Sequence, residues 1–300
     1  MLIAATLPLV PIAAGALWFW RAYVRMTVTE LRPGVFAALG GGGNTLIVAG
    51  REQAVLVDTK FGPGAVALHR WVDRRLGLPV RAVVNTHFHY DHTQGNARYP
   101  GAEVWAHTAV PDLMRERDGA WWRDRQGALP TRLVTAAAEL DVDGTTLQLR
   151  HPGVAHTHGD LYVHIDGAPE IVATGDLLFH AHYPFLDTGP GGAAPAAWIE
   201  ALRRLARDHP DAIFVPGHGP LAVAADLHRY ADYLERLHTA AEHAHASRTG
   251  RAEFLRRYAV RVPDRSILPS VHGPGLRWAT SRTSAGWVYD LAGRRIRSGA

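Results

Sequence analysis

The amino-acid sequence predicts an α/β fold, a four-layer αβ/βα sandwich in which each half mixes strands and helices. Three observations predict it. A buried strand at 54–58, an amphipathic helix at 63–76 and a second buried strand at 80–85 follow one another in βαβ order. Short segments of alternating polarity between 139 and 174 predict a second sheet. Amphipathic patterns between 196 and 245 predict the helices that cover that sheet.

The two ends of this fold carry weaker patterns. Strands are predicted at 28–36 and 45–48, joined through four consecutive glycines at 40–43. A flexible hairpin turn explains these glycines, because neither Gly-Lys-Ser/Thr nor a helix follows them as in a phosphate-binding loop. Near the carboxyl terminus a helix is predicted at 253–258 and a strand at 286–291.

Composition narrows the functional classes. A chain of 300 residues with 47% apolar content can bury one large core. Lys+Arg 32 against Asp+Glu 28 leaves a net charge of only +4, and Lys60 is the sole lysine. Because the basic residues form no block with interleaved aromatics, no nucleic-acid partner is expected. The absence of cysteine excludes disulfides and leaves the redox compartment open.

The first 25 residues form a hydrophobic segment that predicts a membrane anchor. Residues 2–20 carry no charge and are long enough to cross a hydrocarbon layer of about 30 Å. Tryptophans and then arginines close the segment, as at a membrane interface. The anchor predicts a membrane-associated protein of unsettled orientation. A cleaved signal peptide, with export to the periplasm or the extracellular space, stays open, as does translation from Met26.

The densest chemical signal lies at 83–92, where an apolar run ends in three histidines and one aspartate within six positions: His87, His89, Asp91 and His92. Residues two apart in an extended segment point to the same side, so the first three can face one cleft. Imidazole together with carboxylate favours a borderline ion such as zinc, and no thiolate competes for it. The stretch therefore predicts a metal site.

Three more potential ligands follow further along the chain. His156, Asp176 and His218 each stand where a predicted strand gives way to a loop, and each has glycine nearby. Glycine is expected where the backbone turns closely around an ion. Together with the first stretch, these residues supply seven candidate metal ligands.

The order His-x-His-x-Asp-His, Gly-x-x-His-Thr-x-Gly-Asp, Gly-Asp and Pro-Gly-His resembles the metallo-β-lactamase-fold hydrolase superfamily. The resemblance implies a catalytic domain at 26–248, followed by an extension of unknown role at 249–300. It implies two zinc ions, although iron or manganese also suits such ligands. The first ion would be held by His87, His89 and His156, the second by Asp91, His92 and His218, with Asp176 bridging the two.

The resemblance also implies hydrolysis by a hydroxide between two ions about 3.5–4 Å apart, formed at neutral pH because zinc lowers the pKa of bound water. Asp91 is in addition a candidate proton shuttle. Asp58 is expected to orient a ligand histidine, and Asp160 either does likewise or serves as a turn acid that accepts from backbone amides. His180 and His182 are candidates for protonating a leaving group, with a surface loop as the alternative.

The ligand types separate the functions found on this fold. Family members with a redox di-iron centre have glutamate at the position of His89, so the histidine here favours hydrolysis. Typical dizinc β-lactamases have cysteine at the position of Asp176, so β-lactam cleavage is disfavoured. The expected bond is an ester, lactone, thioester, amide or phosphodiester. Tryptophans in the irregular segment 118–132 suggest either a lid, which would favour a partly apolar small-molecule substrate, or a loop whose tryptophans simply cover the core. An iron-dependent dioxygenase and a membrane-tethered, non-catalytic metal-binding protein remain alternatives.

Overall fold

The computed structural model describes residues 24–258 and 283–294. The predicted hydrophobic anchor therefore lies almost entirely outside the described residues. Within the described ranges, no helix is both long and apolar enough to cross a membrane.

The first sheet has seven strands whose order in space is their order in the chain. Its first four strands pair antiparallel, and the remaining pairs are parallel. Parallel pairing requires crossovers, which the helical segments between these strands supply. The strands are β1 Met26–Arg32, β2 Val35–Gly40, β3 Thr45–Ala49, β4 Ala54–Val57, β5 Val80–Val84, β6 Glu103–His107 and β7 Arg132–Val134.

The second sheet has five strands, in the spatial order β12, β11, β10, β9, β8. Only β11 and β12 pair in parallel, so their carboxyl ends meet at one edge and their amino ends at the opposite edge. The other neighbours are antiparallel. The strands are β8 Ala137–Val142, β9 Thr145–Arg150, β10 Tyr162–Ile165, β11 Ile171–Phe179 and β12 Ile213–His218.

Helices lie on the outer faces of both sheets. Three of them, α1, α4 and α5, have an apolar stripe that is buried against a sheet. The helices are α1 Gly62–Arg75, α2 Tyr90–Thr93, α3 Val110–Trp122, α4 Pro195–Asp208, α5 Ala224–Ala246, α6 Arg251–Tyr258 and α7 at residues 283–294.

Three apolar layers separate the four structural layers. Side chains such as Leu46 and Val163 fill the space between the two sheets. Leu68 and its neighbours join α1 to the outer face of the first sheet. Trp198 and Leu234 belong to the layer that joins the second sheet to α4 and α5. The predicted αβ/βα sandwich is thus confirmed. Burying each such side chain stabilises the fold by about 1.5–3 kcal/mol.

Three local expectations were wrong. The single strand expected at 28–36 is two strands, because Gly34 takes φ +80° and turns the chain back on itself. The irregular segment expected from 118 begins with the last turn of α3, in which Trp122 is fully buried while Trp121 stays at the surface.

The strand expected at 286–291 is part of α7. Ala285, Val288 and Ala292 are buried at helical spacing against the core that contains α4 and α5. Tertiary packing therefore overrides the alternating pattern of this short segment. The carboxyl-terminal extension, as far as it is described, packs on the same core as the preceding domain.

Candidate metal centre

The seven candidate ligands come from four separate segments of the chain. The loop after β5 contributes His87 and His89, and the short helix α2 that follows contributes Asp91 and His92. The remaining three come from the loop after β9, from within β11 and from the last residue of β12: His156, Asp176 and His218. Strand ends from both sheets thus meet at one edge of the sandwich, where α/β folds usually hold their ligands.

A first group consists of His87, His89 and His156. The Nδ1 atom of His89 lies 2.9 Å from Nε2 of His87 and 3.1 Å from Nε2 of His156. The Oδ2 atom of Asp176 faces the same point, 3.7 Å from Nε2 of His87 and 3.5 Å from Nε2 of His156. Four donor atoms therefore converge within one small volume.

A second group lies beside it and consists of Asp91, His92 and His218. Nε2 of His218 is 3.2 Å from Oδ2 of Asp91 and 3.4 Å from Nε2 of His92. Oδ1 of Asp176 is 3.2 Å from Nε2 of His92 and 3.4 Å from Nε2 of His218. The carboxylate of Asp176 thus directs one oxygen at each group.

The donor atoms suit divalent cations. Oδ1 of Asp176 is buried and accepts no hydrogen bond from the described residues, although two imidazole nitrogens surround it. A buried carboxylate oxygen without a donor is costly unless a cation accompanies it. Imidazole nitrogen and carboxylate oxygen are ligands that zinc binds at about 2.0–2.2 Å.

Burial keeps His87 and His156 of the first group uncharged. It lowers the pKa of His156 to about 3, although the nearby carboxylate of Asp176 raises it. Burial likewise lowers the pKa of His87 well below its usual value, with His92 adding repulsion. Neutral imidazoles have a free lone pair, so these two histidines can bind a metal at neutral pH without losing a proton.

The second group has the opposite electrostatics. Burial lowers the pKa of His218, but Asp176 and Asp91 outweigh it and raise this pKa to about 9. The pKa of His92 is raised well above its usual value, because Asp176, Asp58 and Asp91 overcome its burial. Burial raises the pKa of Asp91, yet His92 and His218 bring it down to about 2. Metal binding to this group must therefore displace protons.

Asp58 orients one histidine of the second group. Its Oδ2 atom accepts from Nδ1 of His92 at 2.7 Å and from the hydroxyl of Thr86 at 2.7 Å, while Oδ1 accepts from the Thr86 amide. Asp58 adopts φ +66°, a strained conformation for a residue other than glycine. These bonds leave Nε2 of His92 aimed at the cluster, as expected from the sequence.

Asp160 has the second of its two expected roles, that of a turn acid, and His180 does not have the role of proton donor. Asp160 accepts from the amide and the hydroxyl of Thr157, so it braces the turn next to His156 instead of holding a ligand ring. Burial raises the pKa of Asp160 to about 7. Nδ1 of His180 faces the carbonyls of Pro220 and Leu221, and its Nε2 lies 3.3 Å from a carboxylate of α5.

His180 is therefore not placed to protonate a leaving group, because both of its ring nitrogens point at the α5 side of the domain. Nδ1 of His182 lies 2.9 Å from the carbonyl oxygen of His180, within the same loop. The loop thus folds on itself and on α5, which corrects the expectation that His180 lines the cleft.

Asp187 is a functional candidate that the sequence did not reveal. Its Oδ2 atom lies 3.1 Å from Nε2 of His89, the ring nitrogen opposite the cluster, and Arg117 donates to both of its oxygens. Burial raises the pKa of Asp187, but bonds with His89 and Arg117 hold it well below its usual range. It follows β11 in a loop without a recognisable motif, so only folding brings it to the site.

Lys60, the sole lysine, was also missed. Its Nζ atom donates to the carbonyls of Ala38, Gly40 and Gly43, which belong to β2 and the glycine turn. Burial lowers the pKa of Lys60 to about 7, although Asp58 raises it. Lys60 therefore links the glycine turn to the chain just after β4, where Asp58 lies.

Two glycines allow backbone to approach the cluster closely. A Cβ atom on Gly43 would lie 2.5 Å from the ring of His92. A Cβ atom on Gly217 would meet Oδ1 of Asp176 and force it to move. The glycine turn after β2 thus packs against the second group, which gives 40–43 a role in shaping the site.

Aromatic side chains flank the cluster. Phe185, 37% exposed, lies edge-on to His89 with 5.3 Å between ring centroids. Trp287 of α7 packs behind Phe185 at 4.8 Å. Phe61 contacts Tyr90, an exposed residue that precedes Asp91 in the chain. Exposed aromatic rings therefore accompany both His89 and Asp91.

Comparison with known proteins agrees with the fold. Residues 38–218 match the family model of the metallo-beta-lactamase superfamily. The 2,4-dinitroanisole O-demethylase subunit alpha of Nocardioides sp. (strain JS1661) is 28% identical over 207 residues, which cover 64% of this chain and 57% of that protein. The hydroxyacylglutathione hydrolase of Gloeobacter violaceus is 35% identical over 143 residues, 44% of this chain and 46% of that one.

A solved structure, the metallo-beta-lactamase from Pontibacter korlensis, superimposes with a TM-score of 0.58 at 24% identity and covers 70% of this chain and 99% of that one. At this identity the likeness shows the fold alone. The chain spans only about half the length of the two curated relatives. The match over 38–218 covers more than half of the chain, and the chain belongs to the metallo-beta-lactamase superfamily.

Proposed function

We propose that this chain is a hydrolase with two divalent metal ions, zinc by the chemistry of its ligands. The observation that carries the proposal is the carboxylate of Asp176, whose Oδ2 faces the first group of histidines while Oδ1 faces the second. Two adjacent groups that share one carboxylate are what a pair of ions about 3.5–4 Å apart requires. The seven residues named above would be the ligands.

The roles of the residues follow from their contacts. When bound, the metal pair lowers the pKa of water and polarises the scissile group of the substrate. Asp58 and Asp187 hold the outward nitrogens of His92 and His89, so the inward lone pairs stay aimed at the cluster. Asp91 is more exposed than Asp176, so it is the ligand of the cluster that would pass a proton to solvent.

We further propose that the substrate is a small molecule with an apolar or aromatic portion. Phe185, beside His89, and Tyr90, next to Asp91 in the chain, both expose ring surface. Ser284 of α7 donates to the carbonyl of Pro184 at 2.7 Å, so α7 supports the loop that carries Phe185. The extension after residue 248 would thus complete one wall of the substrate site.

The test is to measure bound metal while assaying the full-length protein on an ester, a lactone, a thioester, an amide, a phosphodiester, a β-lactam and an aryl methyl ether. Metal-dependent cleavage of one class, lost on chelation and restored by zinc, is the expected result. Oxygen uptake that depends on iron would instead support a dioxygenase. A metal-loaded protein inactive on the whole panel would contradict the proposal.

The apolar wall has its own test. Phe185→Ala and Trp287→Ala should raise KM for substrates with an apolar group, with a much smaller effect on compact substrates and with metal content unchanged. An equal loss on both kinds of substrate would show that the wall does not select the substrate.

A further inference from the structure

A second type of cluster lies at the opposite edge of the second sheet. It comprises His164 in β10, Glu170 immediately before β11 and His209 immediately after α4. Oε1 of Glu170 is 2.7 Å from Nε2 of His164 and 2.6 Å from Nδ1 of His209. Asp166 places Oδ1 3.3 Å from the same His164 nitrogen. The β10–β11 hairpin and the end of α4, distant from each other in sequence, thus bring four donors together.

The neighbours of His164 indicate which of its ring nitrogens carries the proton. Gln148 donates through Nε2 to Asp166, and its Oε1 accepts from Arg150. The amide is therefore oriented with its oxygen toward Nδ1 of His164, 3.4 Å away. A carbonyl oxygen at Nδ1 favours the proton there, which leaves a lone pair on Nε2.

That lone pair points into the cluster. His164 is only 6% exposed, and its Nε2 atom makes no hydrogen bond of acceptable geometry with the described residues, although two carboxylates lie within 3.3 Å. A buried nitrogen lone pair beside carboxylate oxygens is repulsive unless a positive charge stands between them. The arrangement therefore calls for a cation.

The donors suit zinc in composition, and their spacing is shorter than a bound ion would set. Bonds of about 2.0–2.1 Å in a tetrahedral site separate neighbouring donors by about 3.3 Å. Here the closest donors are 2.6 and 2.7 Å apart, and in the main centre they are 2.9 and 3.1 Å apart. The side chains of Glu170 and Asp166 are 25% and 74% exposed, so rotation toward solvent can open the cluster by the remaining distance.

We propose that His164, Glu170 and His209, with Asp166 as fourth ligand, form an additional divalent-metal site with a structural role. The ion would join the β10–β11 hairpin to the segment between α4 and β12. That segment leads into β12, whose last residue is His218. Six residues of β-strand, about 20 Å, separate Glu170 of this site from Asp176 of the main centre. Metal binding at this site is therefore independent of hydrolysis.

The test counts metal in the full-length protein after zinc loading and dialysis. Three ions per chain are expected for the natural sequence, and two for His209→Gln and for Glu170→Gln, both still active. His228→Gln, on the exposed face of α5, is the matched control and should keep three. Chelator at a level that spares the main centre should lower the melting temperature of the natural protein more than that of Glu170→Gln.

The same measurement in an Asp176→Ala background separates this site from the proposed catalytic one. One ion is expected to persist there and to be lost when His209→Gln is added, whatever the hydrolase assay shows. Equal metal content in the natural protein and in both variants would overturn the proposal, and would leave the cluster as ion pairs between protonated histidines and Glu170. Because Glu170→Gln keeps the shape of the side chain, it decides the matter if His209→Gln does not fold.

Discussion

The two ends of β11 and β12 carry histidine clusters that differ in how they are supported. At the carboxyl end, Asp58, Asp187 and Thr86 each hold the outward nitrogen of one histidine ring, and the ring of Phe185 lies beside the cluster. At the amino end, among the described residues, such a support is found for His164 alone, from Gln148. Oriented ligands beside a surface for substrate suit catalysis, whereas ligands that link two segments suit stability.

The largest difference is expected when a ligand is removed. Asp176→Ala or His89→Ala should lose the metal of the main centre and activity together, by about 10³-fold or more in kcat, since stabilisation by the metal amounts to several kcal/mol. Glu170→Gln, at the other end of the strand, should leave kcat within about twofold, because it touches nothing in the main centre. A fully active Asp176→Ala protein without metal in the main centre would break the comparison.

Support of the ligands should matter next. Asp187→Asn keeps the shape of the side chain but removes the charge that faces His89 and Arg117, so metal affinity or activity should fall by about 10–100-fold. Asp112→Asn on the exposed face of α3 is the control and should behave like the natural protein. Equal values for the two variants would mean that Asp187 does not position His89.

The two groups of the main centre should differ in the pH dependence of metal binding. In the first group, burial lowers the pKa of His156 to about 3 and that of His87 well below its usual value, so metal binding displaces no proton from these two ligands between pH 5 and 9 and affinity should depend less steeply on pH there. At the second group affinity should rise about tenfold per pH unit for each proton displaced, up to about pH 9, where half of the His218 side chains have lost their proton. Competition with a chromophoric chelator across this range measures both.

The stability of the metal-free fold should also depend on pH. The raised pKa of His218 stabilises the metal-free fold fully below about pH 6.5, and this contribution is lost as the pH rises through about 9. Chelated protein should therefore lose stability across this interval relative to protein loaded with metal. Parallel curves for the two forms would contradict the assigned charge state.

The smallest effect is expected between the two ends. Arg203 of α4 pairs with Glu235 and Asp232 of α5 at 2.7 and 3.3 Å on the protein surface. Such pairs contribute about 0.2–1 kcal/mol, so Arg203→Ala should cost no more than this in urea unfolding and leave every metal bound. A loss of metal from either cluster would show that the α4–α5 contact couples the two ends.

Local sequence determined much of the fold and the catalytic candidates. In β4 and β5 the spacing of apolar residues and the length of the segment predict a strand. In α1, α4 and α5 they predict a helix. Histidine and aspartate at 87–92 stand within one loop and the helix after it, so their proximity is a local property. His156, Asp176 and His218 could be found because each has glycine nearby, where the sequence predicts that a strand gives way to a loop.

Only tertiary structure decided which neighbours support those ligands. Asp187 lies 98 positions from His89, and no local pattern relates the two. Residues 286–291 alternate like a strand, yet burial against α4 and α5 makes them helical and places Trp287 behind Phe185. His164 and His209 likewise become a cluster only because β10 and β12 flank β11. Short-range periodicity can specify elements and local motifs, while contacts across many residues depend on how the layers pack.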